Sequence, residues 1–138
     1  MATFVFKDAD VNLDSNDISA YTTSVTLDLS ADAPEDTAMG DTFTSLVGGG
    51  IKSGTATIEF NQDFADNLLD EILWGIFNGG TAVTLTLKPT SAAVGTSNPS
   101  YSGSVILTSY SPLSGSVGDK ATTSITCPTS GTITRATS

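Results

Sequence analysis

The sequence predicts a mainly β protein, a β-sandwich or partly closed barrel of about six to seven short strands with one flanking α-helix and a long loop between early strands. Three observations carry this. Apolar residues alternate with Ser and Thr at period two in several short runs, the mark of half-buried strands. One stretch alone switches to three- and four-residue steps, the mark of an amphipathic helix. The segment from Ser30 to Gly54, SADAPEDTAMGDTFTSLVGGGIKSG, completes no element of its own, yet it separates two well-patterned β runs.

The chain begins with a short apolar run, Phe4–Phe6, followed by DADVNLDSND, which reads as a polar turn region. Tyr21, Thr23, Val25, Leu27 and Leu29 then alternate with Thr22, Ser24, Thr26 and Asp28 as a strand. After the long segment, Thr55–Phe60 resumes with Ala56, Ile58 and Phe60 on one face and Thr55, Thr57 and Glu59 on the other. Phe64, Ala65, Leu68, Leu69, Ile72, Leu73, Ile76 and Phe77 form the helical stripe. Asp63 is placed to cap that helix, Asp66 sits in its first turn, and Gly79-Gly80 ends it. Trp74 lies off the centre of the stripe, either at its edge or in a contact with another chain.

Val83, Leu85 and Leu87 make the next strand, stopped by Pro89. A loop with the Asn98-Pro99 turn signal follows. Tyr101, Gly103, Val105 and Leu107 begin a further strand that extends toward Tyr110. Ser111–Gly118 is a turn region, and Ala121–Cys127 and Thr132–Thr134 are the last strands. A single helix argues against a doubly wound α/β fold. At 138 residues the chain is expected to form one domain, residues 1–138, with residues 30–54 as an extended arm. A chain of this size buries a real core without disulfides or metal.

The arm is the most informative segment. Loops in compact domains mostly run about 4–6 residues, and much longer ones are usually functional or disordered. This one carries Met39, Phe43, Leu46, Val47 and Ile51, more apolar side chain than a free linker holds. Gly48-Gly49-Gly50 reads as a flexible step within it, because the strand–helix context of a phosphate loop is absent.

Charge narrows the function. The formal net charge is −10, unevenly placed: residues 1–71 hold 14 of the 15 acids and two of the five bases, a balance of −12, and the remainder carries +2. Phosphate affinity comes from Lys and Arg, so a sequence-reading DNA binder is not expected. The N-terminus lacks the basic and apolar regions of a signal peptide, and no apolar run approaches the roughly 18 residues of a membrane span. The single cysteine, Cys127, is in phase with Ala121, Thr123 and Ile125 and reads as a small buried side chain.

Catalytic equipment is sparse. There is no histidine, which removes the commonest general base and Ser-His or Cys-His pairs, and one cysteine leaves no zinc site. Asp8-x-Asp10-x-Asn12-x-Asp14 has calcium-loop spacing, but Leu13 stands where such a loop needs Gly and Ser19 where it needs a bidentate Glu. Asp70 and Glu71 read as a solvated helix face. The chain is expected not to be an enzyme and to need no cofactor or metal.

The segment TSVTLDLSADAPEDTAMGDTFTSLVGGGIKSGTATIEFNQDF resembles a pattern in the small tail proteins of long-tailed bacteriophages. In that pattern a strand ends in an acidic stretch, Thr-x-x-Gly-Asp follows, then a Gly-and-Lys step, then a strand closing in Asp. The matching positions are Asp36, Thr37, Gly40, Asp41, Gly50, Lys52, Gly54, Phe60 and Asp63. The downstream TLKPTSAAVGTSNPSYSGSVILTSYSP resembles the later strands of the same family. The likeness covers residues 10–135 and is greatest to the tail tube (major tail) proteins.

That resemblance implies a virion structural protein that self-assembles into stacked hexameric rings, with the arm clasping a neighbouring subunit. It implies further copies of the chain and other tail proteins, such as tape measure and terminator, as partners. DNA would pass through the lumen without specific binding, no membrane would be involved, and assembly would occur in the host cytoplasm. The expected inter-subunit contacts are Met39, Asp41, Phe43, Leu46, Val47, Ile51 and Trp74. Thr22, Ser24, Thr26, Thr84, Thr86 and Thr122 are candidates for a wet lining. The same fold class includes capsid decoration or cement proteins, head–tail joining proteins and tail terminators, which stand as the alternatives. A small hydrolase or carbohydrate-binding domain is the alternative of a different class.

Overall fold

The period-two runs fold as strands and divide between two antiparallel sheets. The computed structural model describes residues 7–66 and 68–138; the short run Phe4–Phe6 lies outside them. The elements are β1 (Asp10–Leu13), β2 (Asn16–Asp17), a 3-10 turn (Ser19–Tyr21), β3 (Thr22–Ala31), β4 (Lys52–Asn61), α1 (Leu69–Gly79), β5 (Val83–Lys88), β6 (Ser100–Val105), β7 (Ser109–Tyr110), β8 (Thr122–Pro128) and β9 (Thr134–Ala136). The first sheet has the order β2-β1-β5-β6-β9 and the second β3-β4-β8-β7. The result is an open sandwich with one helix beside it. The mainly β expectation holds, and the barrel is not closed.

The core lies between the sheets. From the second sheet, Ala56, Ile58 and Phe60 of β4 and Ile125 and Cys127 of β8 point inward. Val11, Leu13, Leu85, Leu87 and Val105 meet them from the first. Helix α1 adds Leu69, Leu73 and Ile76. Burying a side chain of this size stabilises by about 1.5–3 kcal/mol relative to exposure. Cys127 is fully enclosed, and burial pushes its thiol up to about 12, so it is a packing residue with no thiolate character near neutral pH.

Four details differ from the sequence reading. DADVNLDSND is a hairpin, not a turn region. Asp14 and Ser15 both take positive φ, 52° and 66°, between the paired Leu13 and Asn16, the backbone that a two-residue hairpin turn needs. Val11 and Leu13 are both fully buried, which a mostly polar decapeptide conceals. Strand β1 also takes Asp10 and Asn12 out of any calcium loop. Asp10 instead pairs with Lys88 at 3.3 Å and accepts from Ser19 Oγ at 3.0 Å.

The helix begins at Leu69, six residues after the expected cap. Asp63 Oδ1 accepts from the Ala65 amide at 3.0 Å, and its carbonyl accepts from Asp70 N, so it closes the preceding turn. Phe64 is consequently exposed, and the first-turn acids are Asp70 and Glu71, not Asp66. The expected stop is present: Gly80 is left-handed and its N–H reaches the Ile76 carbonyl.

The run from Tyr101 to Tyr110 is two strands, not one. β6 ends at Val105, the chain crosses between sheets, and β7 pairs with β8. The ends of the final strands also shift, to Thr122–Pro128 and Thr134–Ala136. In all, the described residues form nine strands, because the two shortest carry no alternation to read.

A polar network fixes the helix. Tyr110 OH donates to Asp70 Oδ1 at 2.6 Å, and Gln62 Nε2 donates to Tyr110 OH and to the Pro112 carbonyl. Burial, reinforced by the Asp70 carboxylate, pushes the Tyr110 phenol up to about 12, so it remains the donor at neutral pH. Asn98 likewise organises the loop before β6: it accepts from Thr90 N at 3.1 Å and donates to Ala92 O at 2.8 Å.

Candidate functional site: a projecting ribbon and an open strand edge

The long segment is a continuation of the β3–β4 hairpin. Ser30 and Ala31 belong to β3 and Lys52, Ser53 and Gly54 to β4, so the segment outside strands is 32–51. Its two sides pair. Asp32 N donates to Ile51 O at 2.9 Å, Val47 N to Pro34 O at 2.7 Å and Asp36 N to Ser45 O at 2.9 Å. Thr37 Oγ1 accepts from Ser45 N at 2.8 Å.

The Thr-x-x-Gly-Asp motif makes the tip. Asp41 N donates to Ala38 O, and the Asp41 carboxylate accepts from Ala38 N at 2.8 Å. Gly40 sits at the third position of this turn with φ 94°, where a β-carbon is strained. Met39 is thereby presented at the apex. At the base, Gly50 is not a flexible step: a β-carbon there would fall on the Asp32 carbonyl, so glycine lets the two sides close.

The ribbon does not fold back on its own sandwich. Every residue from Asp28 to Gly49 is exposed. Met39 is 103% exposed, Phe43 86% and Ile51 81%, with Leu46 and Val47 also open. These apolar side chains share a strip with Asp32, Glu35, Asp36 and Asp41, and no Lys or Arg occurs between Lys7 and Lys52. Six of the seven expected contact residues therefore lie on one projecting element, where Asp41 has the additional local role of locking the turn.

Trp74 is elsewhere. It is 53% exposed on α1, tilted against Phe77 with ring centroids 6.2 Å apart. Helix α1 packs beside β7, which is the opposite edge of the second sheet from β3. Three strand spacings, about 14 Å, separate those edges. The chain thus exposes apolar side chains in two separate places, toward opposite edges of one sheet.

The β3 edge is itself notable. It runs ten residues, Thr22–Ala31, with no Pro or Lys to block pairing. Such an edge is a template for another strand. Its inner-facing Val25 and Leu27 are only half-buried and Leu29 is exposed, because a terminal strand has sheet on one side alone.

The outer face of the second sheet is hydroxyl-rich and acidic. Its rows are Ser24, Glu59 and Ser124, then Thr26, Thr57 and Thr126, then Asp28 and Thr55. None of the strand positions in these rows is Lys or Arg. Of the candidate lining residues, Ser24, Thr26 and Thr122 share this face, whereas Thr84 and Thr86 belong to the other sheet. Thr22 is drawn aside at a bulge, its hydroxyl donating to the Ile18 carbonyl. The six therefore do not line one surface. Among the described residues no cluster of His, Cys, Asp and Glu is arranged to hold a metal ion, and no helix is long and apolar enough to cross a membrane.

No protein-family model matches the chain, and no curated protein does. Solved structures do. A chain from the virion of a native gene transfer agent particle is 19% identical, with TM-score 0.79, covering 97% of this chain and 99% of that one. A chain from the tail of an empty gene transfer agent particle, refined with C6 symmetry, is 18% identical, with TM-score 0.70 and coverage of 84% and 82%. The SPP1 tail tube subunit is 10% identical, with TM-score 0.71 and coverage of 94% and 77%. At such identities the likeness is one of fold, and the fold of this chain is the one found in those virion and tail tube structures.

Proposed function

We propose that this chain is a structural subunit of a phage-type tail tube, built by self-assembly into stacked six-membered rings that conduct DNA. The observation that carries the reading is the ribbon: apolar side chains held fully exposed on an ordered hairpin, in a fold shared with tail and tube subunits. Water-exposed Met39, Phe43 and Ile51 gain by burial against another copy. Because the ribbon's backbone is already paired, docking it gives up less conformational freedom than ordering a free loop, whose ordering costs roughly 1–2 kcal/mol per residue.

Two unlike surfaces on one chain favour head-to-tail contact, and head-to-tail contacts that close produce rings. The ribbon and β3 edge lie at one end of the second sheet and β7 with Trp74 at the other. The C6 symmetry of a similar tail supports six as the ring order. The hydroxyl-rich face with Asp28 and Glu59 and no base suits a lumen, since it repels phosphate and leaves DNA free to slide. Other tail proteins, tape measure and terminator among them, would meet the ends of such a tube, and the assembled chain would reside in the virion after assembly in the host cytoplasm.

Electron microscopy of the concentrated purified chain tests this. Rods or rings with sixfold projections are the expected outcome. Particles that stay single at every concentration overturn it.

A further inference from the structure

Among the described residues the sandwich is open along β3, and the opening is an apolar groove. Val25, Leu27 and Leu29 of β3 form one wall, and Leu87, Pro89 and Tyr101 of the first sheet form the other, around a volume of about 380 Å³. We propose that this groove seats the ribbon tip of a second copy, with Phe43 as the inserted side chain. The docking rests on the self-assembly reading above and names the surface that receives the ribbon.

Charge selects the occupant. The ribbon carries four acids and no base. One of the chain's five bases lines the groove, and two more lie beside it. Lys88 lies in its wall, Arg135 donates from Nε to Tyr101 OH at 3.3 Å, and Lys7 lines the adjoining cleft beside Val25. Lys88 is already engaged by Asp10, so Arg135 and Lys7 supply most of the attraction for Asp36 and Asp41. Like-charged partners would be repelled from the same groove, and acidic partners steered to it.

A chain cannot fill this groove with its own ribbon. Leu29 lies three residues before the ribbon starts, and the pairs Asp32–Ile51, Pro34–Val47 and Asp36–Ser45 carry the tip outward. Eight residues from Ala31 to Met39, at about 3.3 Å each, give a reach of roughly 25 Å. Folding back would break those pairs, and on a single chain Phe43 stays 86% exposed. The reach suits a neighbour's groove.

Disulfide trapping tests the assignment. Full-length Thr44→Cys protein, which keeps Phe43 in place, is mixed with Leu29→Cys protein, or separately with Tyr101→Cys protein, at polymerising concentration and oxidised. Val117→Cys, exposed in the β7–β8 loop, is the control partner. The native Cys127 is fully buried and stays silent. Docking holds the two thiols at high effective concentration, so mixed dimers should exceed the control by roughly tenfold or more. Micrographs of the same samples separate the two claims. Tubes without preferential trapping overturn the groove and leave the tube reading standing. Trapping without tubes does the reverse, and neither result together sinks both. A dilute Phe6→Cys/Tyr101→Cys double variant that closes an internal disulfide assigns the groove to the chain's own N-terminus and overturns the proposal.

Discussion

Phe43→Asp will block assembly and leave the subunit folded. Phe43 touches little within its own chain, being 86% exposed near the end of the ribbon. Exposed substitutions of this kind change stability by about 0.5 kcal/mol or less. The thermal midpoint and circular dichroism should therefore match wild type. Assembly is another matter. An aromatic anchor at the centre of an interface commonly contributes about 2 kcal/mol or more, and a carboxylate left in its apolar seat adds a desolvation penalty. Two kcal/mol corresponds to roughly a 30-fold rise in the concentration needed to polymerise, and the added charge raises it further. Sedimentation of a concentration series reads this directly. Wild-type polymerisation by the variant would remove Phe43 from the contact.

Phe60→Ala will have the opposite signature, losing the fold first. Phe60 is fully buried on β4, an inner strand of its sheet, and is among the largest enclosed side chains. Truncating a buried Phe to Ala costs about 3–5 kcal/mol, through lost transfer energy and the cavity left behind. Domains of this kind have about 5–15 kcal/mol in total. Denaturant melts should show the midpoint fall sharply, with assembly lost only because the folded population shrinks. A midpoint within about 1 kcal/mol of wild type would mean that the core is not organised around β4. Set beside Phe43→Asp, the pair separates side chains that hold the subunit from those that join subunits.

Which side chains are buried in the subunit and which stay exposed was largely legible in the residues. Ala56, Ile58 and Phe60 alternate cleanly with Thr55, Thr57 and Glu59, and β4 buries the predicted face. Apolar residues inside a long segment that closes no element were already anomalous, and they are the exposed ones. What could not be read was pairing across distance. The ribbon depends on Asp36 meeting Ser45 and Pro34 meeting Val47, a register that no local pattern encodes. The β1–β2 hairpin was hidden because Val11 and Leu13 are two apolar residues amid eight polar or small ones. The helical stripe looked continuous from Phe64, but the Asp63 side chain and carbonyl hold a turn there, and this local bonding overrides periodicity.

The groove had no sequence signal at all. Val25, Leu27 and Leu29 read as ordinary core positions of a strand, and only the sheet order among the described residues makes β3 an edge with that face half open. Thr84 and Thr86 failed as companions of Thr26 for the same reason, since identical alternation does not say which sheet a strand joins.

The ribbon's apolar side chains are expected to find their burial on another copy. Met39 reports this most directly, because it stands at the apex, fully exposed, with an oxidisable thioether. Peroxide oxidation of Met39, followed by mass spectrometry, should be fast in dilute single chains and several-fold slower in assembled tubes. Equal rates in the two states would leave the ribbon in water within the assembly and contradict the account.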